Sequence, residues 1–95
     1  MLLAKVVGTV VATRKEASVD GLKLLLVRPV TEDGQETGVP LVAADAVGAG
    51  PDEMVLVAAG SSARQTVATD KRPVDAVVMA IVDSWSLADS VKYQK

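Results

Sequence analysis

The chain has 95 residues and a formal net charge of −2 at pH 7, which gives no positive field for a nucleic-acid backbone. It contains no Cys and no His. That excludes disulfides and thiolate chemistry, removes the commonest general base and the usual zinc ligands, and leaves any catalysis to Asp, Glu, Lys or Ser.

Hydrophobic residues make up 49% of the chain, yet there is no Phe and only one Trp and one Tyr. The core must therefore be built from Val, Leu, Ala and Ile, with about 1.5–3 kcal/mol for each large aliphatic side chain fully covered. A single domain spanning 1–95 is expected. With more apolar residues than so small a core encloses, it is expected to hide the surplus against other subunits. The N-terminus "MLLAKVVGTVVATRK" has no basic region ahead of its apolar run and no stretch of about 18 apolar residues. Neither a secretory signal nor a membrane span is expected, so the chain is placed most simply in the cytoplasm, with no membrane partner.

Residues 2–13 alternate Ala4, Val6, Gly8, Val10 and Ala12 on one face with Lys5, Val7, Thr9, Val11 and Thr13 on the other, the period of a strand. The second face is itself partly apolar. The turn "RKEASVDG" leads to "LKLLLVRPV" (22–30), "TEDGQETG" to "VPLVAADAV" (39–47), and "GAGPD" to "EMVLVAAG" (53–60), so three further strands follow. Next comes "SSARQTVATDKRP", too polar for a strand. Ser61 or Ser62 can cap one helical turn through Ala63, Arg64 and Gln65. A fifth strand is read in "VDAVVMAIVDSWSL" (74–87), and the tail "ADSVKYQK" is read as surface-attached or frayed.

Five short apolar strands in so small a chain are best satisfied by closure. The predicted fold is mainly β: a small closed five-stranded barrel of the oligonucleotide/oligosaccharide-binding type, with one short helix plugging an open end. It lacks the stacking aromatics and positive groove of nucleic-acid-binding barrels.

Individual features are mostly architectural. Gly48 and Gly50 are half of a dinucleotide fingerprint, but the third glycine is missing and a strand follows, so they read as a tight turn with positive φ whose exit Pro51 fixes. Asp45, Asp52, Asp75 and Asp83 lie on separate segments, where Asp ordinarily bonds to backbone N–H groups. Trp85 reads as a core or interface anchor. Lys71-Arg72, beside Pro73, reads as a solvated corner or half of an inter-subunit ion pair. Gly8, Gly48, Gly50, Pro73 and Asp75 are taken as turn- and fold-determining. The loop Gly60-Ser61-Ser62-Ala63-Arg64-Gln65 has a local reason for each residue: Gly60 ends the strand, a serine caps, Ala63 permits close approach, and Arg64 bonds carbonyls or a carboxylate. It is the candidate subunit interface or axial opening. No catalytic, metal or cofactor-binding residue is assigned.

The segments "AKVVGTVVATRKEASVDGLKLLLVRPV", "VAADAVGAGPDEMVLVAAGSSARQT" and "RPVDAVVMAIVD", in this order and spacing, closely resemble the bacterial microcompartment vertex proteins, the EutN/CcmL family. The resemblance implies a non-catalytic homopentamer that closes the five-fold vertices of a polyhedral shell, with hexameric and trimeric shell proteins as partners and no cofactor. A nucleic-acid- or ligand-binding barrel, a small hydrolase, and a shell oligomer of another order such as a hexamer stand as alternatives.

Overall fold

The computed structural model describes residues 1–95. Five strands, β1 (Leu2–Val10), β2 (Leu24–Pro29), β3 (Leu41–Asp45), β4 (Met54–Ala59) and β5 (Ala76–Ile81), close into a barrel in the order β1-β2-β3-β5-β4. All neighbours are antiparallel except β3 and β5, which pair in parallel through Ala44↔Val77 and Asp45↔Val78. Closure leaves no free edge among the five, as expected from strands too short and too apolar to face solvent on both sides.

The strand period sorts residues between two apolar layers. Ala4, Val6, Leu25, Val27, Ala43, Val55, Val57 and Val78 point inward and fill the barrel. Their immediate chain neighbours Ala44, Ala58 and Val77 point outward, yet they are buried as well. What covers them is the segment after β4. It begins with a 3-10 turn, Gly60–Arg64, whose Ala63 is fully buried against those three residues. The short helix therefore lies along the outer wall of β3, β5 and β4 and does not plug an open end. Its start also differs from expectation, since the cap is Ala59 with no side-chain bond and neither serine caps it. Gly60, at φ +66, lets the chain leave β4 and enter the turn in one residue.

The expected last strand is interrupted. Val82 still donates its N–H to Met54 at 2.8 Å, but Met54 is where β4 begins, so beyond it the chain has no barrel partner. It leaves as a separate hairpin, β6 (Ser84–Leu87) and β7 (Ser90–Gln94). The tail is thus a paired strand, not a frayed end, and Trp85 belongs to the hairpin, where it stacks on Tyr93 with ring centroids 4.9 Å apart.

The turn after β3 is built on Asp45, whose buried carboxylate accepts from the N–H groups of Val47, Gly48 and Ala49 at 3.0, 3.1 and 3.0 Å. Gly48 has the expected positive φ of +77, whereas Gly50 does not: it is the position whose Cβ would meet Glu53 Oε1 at 3.2 Å, and its N–H donates to that oxygen. The left-handed residue after Pro51 is Asp52. Gly8 follows the bulge where the β1–β2 register shifts after Val6.

Candidate functional site

The outer wall carries two surfaces of different chemistry. The first is the segment after β4. The Gly60 N–H donates to the Asp75 carbonyl at 2.8 Å, which pins the start of the loop to the start of β5. The fully buried Thr69 hydroxyl donates to the Ala63 carbonyl at 2.5 Å and shares a bond with Thr66. With Ala63 seated on the wall, Ser61, Ser62, Arg64 and Gln65 are left exposed on the far side. Arg64 reaches the Val74 carbonyl at 3.5 Å and, with Gln65, Thr66, Val67 and Asp70, borders a shallow polar hollow of about 420 Å³. Of the six loop residues singled out from sequence, Ala63 is spent on the subunit's own packing and the others face outward.

The second surface lies outside the loop that the sequence marks as the interface. In the ladder, Gly8 pairs with Leu26 and Val10 with Leu24, while Leu26 pairs with Val42. These residues form an apolar strip across the outer face of β1, β2 and β3, on which Val42 is 47% exposed, with Val7 beside it in the bulge at 39%. A Cβ at Gly8 would lie 3.7 Å from Leu26 Cβ, an ordinary contact, so packing inside the subunit does not demand glycine there. Glycine instead keeps the strip flat. The strip continues into a cleft of about 300 Å³ between residues 9–12 and 22–24, where Val11 stands 89% exposed. The signal was present in the partly apolar second face of residues 2–13, but which alternate residues face out depends on the bulge.

The four aspartates singled out from sequence serve the fold. Asp45 also lies 3.5 Å from Lys23 Nζ. Asp52 pairs with Lys5 at 3.8 Å. Asp75 and Asp83 serve through their carbonyls, the latter accepting from the Lys95 N–H. No three His, Cys, Asp or Glu residues are grouped as a metal site requires. Arg72, expected at a solvated corner, clamps the carbonyls of Ser18 and Asp20 at 2.9 and 2.8 Å and so ties the turn before β5 to the β1–β2 connection. At the hairpin's end, Lys95 Nζ donates to Glu53 at 2.7 Å; that bond, with one from the Gly50 N–H, holds the Glu53 carboxyl below its ordinary range, and the same contact raises the lysine.

The family model described as "Ethanolamine utilisation protein EutN/carboxysome" matches residues 1–83. The chain belongs to the EutN/CcmL family. It is 50% identical over 96 residues to the carboxysome shell vertex protein CcmL of Nostoc sp., covering all of this chain and 95% of that protein. The solved structure of Gloeobacter violaceus CcmL superposes with a TM-score of 0.95 at 48% identity, over 100% of this chain and 98% of that one. The GrpN pentameric microcompartment shell protein from Rhodospirillum rubrum superposes with a TM-score of 0.83 at 46% identity, over 92% of this chain and 100% of that one. The family model stops before the hairpin, while the likeness to Gloeobacter CcmL spans it.

Proposed function

We propose that this chain is a non-catalytic structural subunit of a bacterial microcompartment shell, a homopentamer that caps the five-fold vertices and meets hexameric and trimeric shell proteins at its rim. The observation that carries the proposal is the near full-length likeness to a pentameric shell protein at 46% identity. The molecule's own surface supports it. A ring of identical subunits joins two different faces of each subunit, and this chain offers an apolar strip over β1, β2 and β3 and, elsewhere on the barrel, a polar loop of small residues with one arginine. In this arrangement Ser61 and Ser62 lie toward the five-fold axis, and the ring's first task is closure of the shell.

The test is reconstitution of shells from facet proteins with and without this chain, imaged by electron microscopy. Density at the five-fold positions only when the chain is present is the expected result. Shells that close equally well without it, or that carry it within the facets, would overturn the assignment.

A further inference from the structure

The β6–β7 hairpin ends in a tip that nothing in its own subunit covers. Its root is held: the Trp85 indole N–H donates to the Glu32 carbonyl at 2.7 Å, the ring lies over Gly34 at 3.7 Å from a Cβ position, and Lys92 pairs with Asp33 at 3.3 Å. Beyond that root the strands continue to a two-residue turn, Ala88-Asp89, with Ala88 at φ +53. Leu87 and Val91, which flank the turn, are 49% and 59% exposed. Since Leu87 pairs with Ser90 and Val91 with Ser86, the two apolar side chains project from opposite faces. Asp89, at the apex, makes no ion pair within the chain.

The cleft at the end of the apolar strip has the complementary features. Its two walls are residues 9–12 and 22–24, with Val10, Val11, Ala12, Leu22 and Leu24 as the apolar lining; at its border Lys15 pairs with Asp20 at 3.6 Å and Lys23 with Asp45 at 3.5 Å. Its volume of about 300 Å³ accepts two aliphatic side chains. It lies at the Val10↔Leu24 end of the β1–β2 ladder, while the hairpin root is bound to the loop after β2, beyond the Ala4↔Pro29 end. One subunit therefore carries a wedge and, at the far end of the same ladder, a slot.

We propose that the hairpin tip, Leu87 to Val91, enters the cleft between residues 9–12 and 22–24 of the neighbouring copy. A wedge with one apolar residue on each face suits a slot with two apolar walls, and the acidic apex can share Lys15, whose partner within the subunit is the exposed Asp20 at 3.6 Å. Donor and acceptor on different parts of one subunit form the head-to-tail contact that closes rings. The contact rests on the pentamer proposed above and assigns it an interlock.

The absence of cysteine makes the test clean. Two double variants, Leu87→Cys with Val11→Cys and Val91→Cys with Leu22→Cys, are oxidised and run on a denaturing gel, while native mass spectrometry reports their assembly. A covalent ladder rising to five chains from at least one pair, absent from every single-cysteine variant, is expected. Pentamers that give no covalent link from either pair would overturn the interlock and leave the pentamer standing; wild-type protein that is monomeric would overturn the pentamer itself. A second measurement covers variants that fail to assemble. Asp89→Lys is expected to raise the subunit concentration at half-dissociation about two- to five-fold, as befits an exposed charge contact, and Lys15→Glu in the same chain to restore it. An unchanged midpoint, or no restoration, would overturn the proposal.

Discussion

Trp85 donates its indole N–H to the carbonyl of Glu32, 53 positions earlier, at 2.7 Å. This bond, together with the Trp85–Tyr93 stack and Lys92–Asp33, is what turns an isolated two-stranded hairpin, marginal by itself in water, into a fixed arm. The variant Trp85→Phe keeps an aromatic ring and loses the donor. Faster amide exchange across residues 84–94 with protection in β1 to β5 unchanged is the expected outcome. Uniform loss of protection would mean that the hairpin and barrel form one cooperative unit.

Asp45 holds the turn between β3 and β4 through three backbone donors. In Asp45→Ala, water reaches the exposed Val47 and Gly48 N–H groups, but the Ala49 N–H is buried and loses its acceptor. A loss of about 1–3 kcal/mol in urea unfolding is expected. A smaller effect than that of an exposed substitution such as Arg14→Ala would show that the turn is held by other means.

Thr69 latches the loop after β4 by its bond to the Ala63 carbonyl. Removing the hydroxyl in Thr69→Val leaves a carbonyl against the wall without its donor, at a cost of about 1–3 kcal/mol. Thr69→Ser, which keeps the donor, should retain most of the stability. The unfolding midpoints of the two variants decide the matter, and a larger loss in Thr69→Ser than in Thr69→Val would assign the effect to packing of the methyl group, which valine keeps.

The sequence makes the barrel legible because its strands hold a two-residue period up to their bulges and glycine- and aspartate-bearing turns separate them: Ala4 and Val6, or Val55 and Val57, alternate inward as read, whereas Gly8 and Val10, beyond the β1 bulge, face outward. The outer layer is less legible. Ala44, Ala58 and Val77 are apolar on the face that should meet solvent, and only the fold shows that Ala63 covers them. The hairpin is illegible because only Asp83 and Ser84 separate the apolar run ending at Val82 from Trp85, and nothing local says that β4 begins at the partner of Val82. Arg72 looked like a free corner because its partners, Ser18 and Asp20, lie more than fifty residues away.

The Lys95–Glu53 contact predicts a pH window for the hairpin's end. Glu53, with its pKa depressed, adds stability above the ordinary carboxylate range and loses it as pH falls through the lowered value; Lys95, with its pKa raised, adds stability that disappears only as pH rises through the raised value. The contact is therefore whole across neutral pH. The chemical shift of the Gly50 amide, which donates to the same carboxylate, should stay constant there, move in acid, and lose that acid step in Glu53→Gln. A step near neutrality would contradict the pairing.

The placement proposed for Ser62, toward the five-fold axis, has its own test. In Ser62→Leu the axial gap should narrow, seen as slower entry of small polar solutes into reconstituted shells. A leucine side chain found at a subunit boundary away from the axis would move the loop from the opening to the interface.

Everything proposed for this molecule depends first on how many copies join. Native mass spectrometry of the wild-type protein at micromolar concentration should show one dominant species of five subunits, close to five times 9.8 kDa. A stable monomer would contradict the assembly, and a dominant hexamer would contradict its place at the vertex.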